Sequence, residues 1–148
     1  MPGNNIMTDN KLLRRAGEAV EQEPFARKLG LRLLDCAPGY ALVEMTTTPE
    51  LGNLFQMVHG GAIFSLIDEA FQVACNTHGT LAVALGLSIS YVKAPTMGVS
   101  LQAEAREVSR NPRIATYETT VKDENGNLIA TASATAYRKK ENNFFHES

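Results

Sequence analysis

Residues 53–79 read NLFQMVHGGAIFSLIDEAFQVACNTHG, and this stretch decides the fold. With Ile63 at 0° and about 100° per residue, Leu66, Ile67, Ala70, Phe71 and Ala74 lie within about 80° of it. That apolar stripe predicts one long helix over residues 59–78, with one face buried. Ser65, Glu69, Gln72 and Asn76 fall on the opposite, solvent-facing side. Asp68 lands at about 140°, on the border between the two faces. Gly79 is a natural C′ residue to end the helix.

Upstream, residues 9–29 read as a helix. Asp9 suits the N-cap, Leu12, Leu13, Ala16, Ala19 and Val20 recur at helical spacing, and Pro24 breaks or restarts the run. Cys36-Ala-Pro-Gly39 is a turn signal, and residues 40–48 (YALVEMTTT) follow as a strand. Downstream, strands are expected at 81–92, 100–109, 114–122 and 128–137, the last two joined by the hairpin turn Asp123-Glu-Asn-Gly126. Consecutive strands with short loops favour an antiparallel sheet, and the long helix must bury its stripe against it. The fold class is therefore α+β.

The 148 residues suit one domain, 1–148, with a helical extension at 1–23 and a tail at 141–148 whose Phe144 and Phe145 are available to dock. Hydrophobic residues make up 44% and charged residues 20%, which supports a packed core and excludes global disorder. Fourteen basic against 16 acidic residues give a net charge of −2, so neither nucleic acid nor an anionic membrane is an expected partner. No apolar run is long enough to span a bilayer. The first ten residues, MPGNNIMTDN, lack an apolar segment, so no secretory signal is expected. Cys36 and Cys75 are then expected to be reduced thiols of a cytoplasmic protein.

Candidate chemistry clusters between residues 53 and 68. His59-Gly60-Gly61 opens the helix, where first-turn N–H groups lack intrahelical partners and the dipole is positive. Such a start can hold an anion or a developing oxyanion, or its glycines can simply permit tight packing. Asp68 is either a partly desolvated base or nucleophile, or a solvated surface carboxylate. His59 suits a donor to a carbonyl, an N-cap, or a packed loop residue. His78 and His146 show no partner pattern. Zinc spacing, a Cys/His cluster, a G-x-S-x-G elbow and a phosphate loop are all missing, so no metal is expected.

The run N, short spacer, H-G-G, six residues, D, then A-F-x-x-A-x-N, continued by Ser88–Pro95 (SISYVKAP), resembles the PaaI-type hotdog-fold acyl-CoA thioesterases. The likeness covers roughly residues 25–138. It implies a long central helix wrapped by an antiparallel sheet of five or six strands. It also implies dimers with a continuous sheet, commonly paired into homotetramers, that hydrolyse acyl-CoA without metal or dissociable cofactor. In this resemblance Asp68 sits at the catalytic carboxylate and Gly60 at the oxyanion-hole N–H. His59 adjoins Gly60 and is expected to help hold the thioester carbonyl, and Asn53 matches a polar residue that orients water or carbonyl. Gln56 stands where relatives often carry glycine, and Ala84 where some carry a hydroxyl. Arg110 and Arg113, with Lys93 and the run Arg138-Lys139-Lys140, are the expected cations for CoA phosphates or else ordinary surface charges, and Phe64 and Phe71, with Leu54 and Phe55, are the expected acyl pocket or else plain core.

Gly60 and Asp68 are eight residues apart, about 12 Å along one straight helix. One carbonyl cannot touch both, so an active site made from them must be shared between two antiparallel copies. Two other readings stand beside hydrolysis. One is an acyl-thioester hydratase on the same fold, which usually pairs a carboxylate with a catalytic histidine. The other is a non-catalytic acyl-CoA sensor, which tends to lack the helix carboxylate.

Overall fold

The computed structural model describes residues 2–143 and 145. Helices α1 (Pro2–Gln22) and α2 (Pro24–Leu29) lead into strands β1 (Arg32–Ala37) and β2 (Tyr40–Thr46). The long helix α3 (Gly60–Cys75) follows, and then β3 (Thr80–Tyr91), β4 (Ser100–Arg110), β5 (Ile114–Asp123) and β6 (Leu128–Asn142). Among the described residues the strands form one antiparallel sheet in the order β1-β2-β4-β5-β6-β3. The sheet wraps α3, which touches all six strands. This is the hotdog architecture.

The α3 stripe behaves as the periodicity predicts: Ile63, Leu66, Ile67, Ala70, Phe71 and Ala74 are all buried. Much of the facing layer is alanine. Ala103 and Ala105 of β4, Ala115 of β5 and Ala130, Ala132, Ala134 and Ala136 of β6 are buried at alternate positions. Small side chains on the sheet leave room for the larger ones on the helix. Phe71 meets Tyr117 edge-to-face, with ring centroids 5.5 Å apart.

Four expectations need correction. First, α1 begins at Pro2, so Asp9 lies inside the helix and is not its cap. Pro24 does restart the chain as α2, whose end is marked by Gly30 at φ +68. Second, β1 has no counterpart in the sequence reading. Its run RLLDCA does not alternate, and a register shift between Leu33 and Asp35 breaks the period of two that reveals a strand. Third, Glu69 and Asn76 are buried rather than solvent-facing. The junction of α1 and α2 brings Glu23 to that side of α3, where Gln72 Nε2 donates to Glu23 Oε2 at 3.1 Å. Fourth, α3 ends at Cys75 with Asn76 as C-cap, and Gly79, at φ +84, closes the following turn. Asn76 there bonds both the N–H and the C=O of Ala82, and Asn143 bonds Asn76 in turn.

The two edges of the sheet differ. α1 packs along β1 and buries Leu12, Ala16 and Val20, spaced one turn apart. β3 is the other edge, and its Val83, Leu85 and Tyr91 are exposed. β6 runs on to Asn142, beyond the expected end of its strand, and delivers Phe145 to a buried place where Arg15 donates to its carbonyl at 3.2 Å. Phe144 and His146 lie outside the described residues.

Candidate active site

The loop before α3 is held by Asn53. Its side-chain oxygen accepts from the N–H groups of Phe55 and Met57 at 2.8 and 3.1 Å, and Asn53 N–H donates to the Met57 carbonyl at 2.7 Å. The loop closes through a Gly52–Val58 bridge and leaves Leu54 and Phe55 highly exposed. Gln56 takes a left-handed conformation, φ +62, which explains why glycine suits this position in the resembling family. Here a glutamine occupies it under strain.

His59 is the N-cap of α3. Its Nδ1 accepts from Gly61 N–H at 2.7 Å, so in the neutral ring the proton is on Nε2. The carbonyl of Gly60 accepts from the Tyr91 hydroxyl at 2.8 Å. The Gly60 N–H has no acceptor among the described residues. It opens beside a cleft of about 260 Å³ lined by Met57, Val58, Ile63, Tyr91, Val92 and Lys93, among others. Both glycines sit in tight contacts. A Cβ on Gly60 would lie 3.0 Å from the Tyr91 hydroxyl, and one on Gly61 3.0 Å from His59 Nδ1. The packing reading of this pair describes its surroundings: lack of a side chain lets Tyr91 close in on Gly60 and His59 on Gly61.

Two turns along, Asp68 is exposed and is not among the residues lining the Gly60 cleft. Protein packed around it and then the charge of Glu23 raise its carboxyl above the usual carboxylate range. Glu69 is only 4% exposed, and its Oε2 has no hydrogen-bond partner among the described residues. Burial, then the neighbouring Glu23 carboxyl and the charge of Asp68, push its carboxyl up, toward the neutral form. Three carboxyl groups therefore crowd the middle of α3.

The remaining candidates are spread out. Lys93 lines the Gly60 cleft. Arg110 is exposed, with its Nε 3.4 Å from Glu107 Oε1. Arg113 is half-buried in the β4–β5 turn, its backbone N–H bonded to Asn111 Oδ1 at 2.9 Å. Phe64 is half-buried. Phe71 is in the core against Tyr117 and is not among the residues lining the two clefts at the start of α3. His78, expected to lack a partner, bonds Glu107 Oε1 at 2.8 Å, where the Tyr117 hydroxyl also donates at 3.0 Å. Burial opposes the Glu107 charge, but the His78 and Tyr117 bonds outweigh it and hold this carboxyl low. Among the described residues no group of three or more His, Cys, Asp or Glu could hold a metal.

Sequence reasoning missed Tyr91, Glu23 and Glu69 as parts of this region. Tyr91 looks like any aromatic at a strand end, and Glu23 is 46 residues from Glu69 along the chain. Only the fold brings each to its place.

A profile of the thioesterase superfamily matches residues 55–130. A protein from Archaeoglobus fulgidus is 47% identical over 113 residues, which is 76% of this chain and 73% of that relative. The acyl-coenzyme A thioesterase PaaI of Escherichia coli is 30% identical over 129 residues, covering 87% of this chain and 92% of the relative. The solved structure of the E. coli PaaI protein matches with a TM-score of 0.86 at 28% identity, over 90% of this chain and 97% of that one. The chain belongs to the thioesterase superfamily and is a PaaI-type hotdog-fold thioesterase.

Proposed function

We propose that the protein hydrolyses an acyl-CoA thioester to the free acid and CoA, in a site shared by two copies of the chain. The observation that carries this reading is the Gly60 N–H: a donor without an acceptor among the described residues, at the start of a helix whose Asp68 is exposed eight residues further on. About 12 Å of helix separates the two, too far for one carbonyl to reach both within one chain. An antiparallel second copy resolves this, with Gly60 from one and Asp68 from the other. The open β3 edge, with Val83 and Leu85 exposed, suits a sheet continued into that copy. The E. coli relative named as an acyl-coenzyme A thioesterase supports the substrate class.

The thioester oxygen accepts from Gly60 N–H, and the helix dipole stabilises the charge that develops there. Asp68 attacks the carbonyl carbon or takes a proton from the attacking water. The C–S bond breaks, and CoA leaves as thiolate and gains a proton. When Asp68 acts as base, the acid carries the water oxygen; when Asp68 attacks, an acyl-aspartyl anhydride forms, and water cleaves it at the Asp68 carboxyl carbon, so the acid leaves with an Asp68 oxygen and Asp68 keeps the water's. His59 offers Nε2–H to the same carbonyl, and Asn53 its amide N–H₂, since its Oδ1 is used by the loop. Lys93, Arg110 and Arg113 serve the CoA phosphates, and Phe64 the acyl chain. The reaction needs no cofactor or metal. A dimer of dimers in the cytoplasm is the assembly and setting this reading favours; no helix of the described residues is long and apolar enough to cross a membrane.

The test mixes two dead variants. Asp68→Asn and Gly60→Ala are each assayed on phenylacetyl-CoA and octanoyl-CoA by thiol release, then co-refolded in equal amounts. Random pairing makes half the dimers mixed, each with one intact site, so about a quarter of the wild-type rate returns. A mixture as inactive as its parents removes the shared site. Full turnover in Asp68→Asn alone removes the carboxylate from the reaction. Single turnover in ¹⁸O-water then separates the two roles: label in the Asp68 carboxylate marks the nucleophile.

A further inference from the structure

The peptide between Gly60 and Gly61 is held at both ends. Its carbonyl takes the Tyr91 hydroxyl at 2.8 Å, and its N–H goes to His59 Nδ1 at 2.7 Å. The preceding N–H, that of Gly60, is left without an acceptor among the described residues. A glycine has the widest torsional freedom of any residue, so a donor carried on one needs fixing from outside. Two bonds on the adjacent peptide do this, and one of them comes from a different element. Tyr91 is the last residue of β3 and ties the open edge of the sheet to the first turn of α3.

The ring and the hydroxyl of Tyr91 do separable jobs. The ring lies against Gly60: a Cβ there would meet the ring carbon bearing the hydroxyl at 3.1 Å. Phenylalanine would cover the glycine equally well. The hydroxyl alone makes the directional bond to the Gly60 carbonyl. Preorganised donors gain their effect because no reorientation is needed when charge appears, and displacement of a reacting group by about 1 Å costs as much as about 10²-fold.

We infer that Tyr91 is a positioning residue: its hydroxyl locks the glycine pair so that the Gly60 N–H is aimed in advance at the substrate's carbonyl oxygen. This rests on the hydrolytic reading above. Tyr91 transfers no proton and touches no reacting atom in this role.

Tyr91→Phe is the test, assayed on phenylacetyl-CoA with Asp68→Asn alongside. Removing the hydroxyl lowers kcat about tenfold and leaves KM within about twofold, because the ring and the cleft wall remain. The melting temperature moves by no more than a few degrees, roughly the effect of one exposed hydrogen bond. A purely structural tyrosine would shift the melting point and leave kcat unchanged, and that result overturns the inference. A raised KM at unchanged kcat also overturns it, since it marks direct substrate contact. If Tyr91→Phe does not fold, 3-fluorotyrosine at position 91 keeps the shape and alters only the donor; an altered kcat at an unchanged melting point supports the role, and an unchanged kcat overturns it. Inactive Asp68→Asn with full-speed Tyr91→Phe removes Tyr91 alone. Fully active Asp68→Asn removes the hydrolytic site and this role with it.

Discussion

The first turn of α3 and its middle hold their chemical groups in different ways. At Gly60 the means are neutral and short-ranged: a histidine cap, a tyrosine hydroxyl and a ring in close contact, with one N–H left over. At Asp68 and Glu69 the means are charge and burial, with Glu23 brought in from the α1–α2 junction to crowd both carboxyls. The donor end depends on geometry. The carboxyl end depends on which groups are ionised. One helix can carry both because 12 Å or so keeps the acidic cluster from cancelling the positive end of the dipole.

The strongest way to break this comparison is Gly60→Ala. Its methyl group meets the Tyr91 hydroxyl at 3.0 Å and pushes the first turn off its aim. Turnover falls about 10²–10³-fold, the usual cost of one oxyanion donor, with no change in the shape of the pH profile. A variant that retains full kcat would show that the donor lies elsewhere.

Glu69→Gln probes the other end through stability. Folding raises the Glu69 pKa above its ordinary 4.5, so the fold favours its neutral form. That contribution is full below about pH 4.5 and is lost as pH rises through the folded pKa. Glutamine is neutral throughout, so the variant gains on wild type as pH rises, on the order of 1–3 kcal/mol at pH 8. Urea unfolding at pH 5 and pH 8 measures the gap; a gap that does not widen with pH contradicts a buried neutral Glu69.

Glu23→Gln separates charge from geometry at Asp68. Removing the Glu23 charge lowers the Asp68 pKa, which its presence raises. The acid limb of kcat/KM therefore moves to lower pH, while the Gly60 end is untouched. An unmoved limb means that burial alone sets Asp68 or that another group governs the profile. The smallest effect belongs to the loop before the helix. Gln56→Gly relieves a left-handed glutamine and raises stability by about 0.5–1 kcal/mol, net of glycine's greater unfolded-chain entropy. Thermal unfolding reads it; a lower melting point would mean that the Gln56 side chain contributes more than its backbone costs.

The reading of α3 needed no partner. Its stripe from Ile63 to Ala74 repeats at 3.6 residues over about three turns, and the later strands are set off by Pro95, Asn111-Pro112 and the turn at Gly126. Periodicity and turn chemistry are local, so the long helix, β2–β6 and the position of His59-Gly60-Gly61 and Asp68 were determined by the chain itself. β1 was hidden because a bulge in an edge strand erases alternation. Glu69 was misassigned to the solvent side because a helical wheel knows one covering surface, the sheet, and not a second one supplied by residues near Glu23. Phe71 was legible as apolar, but its edge-to-face contact with Tyr117 was not. Which polar groups are desolvated, and which glycine a distant tyrosine presses upon, depend on contacts between residues far apart in the chain, and those exist only once it has folded.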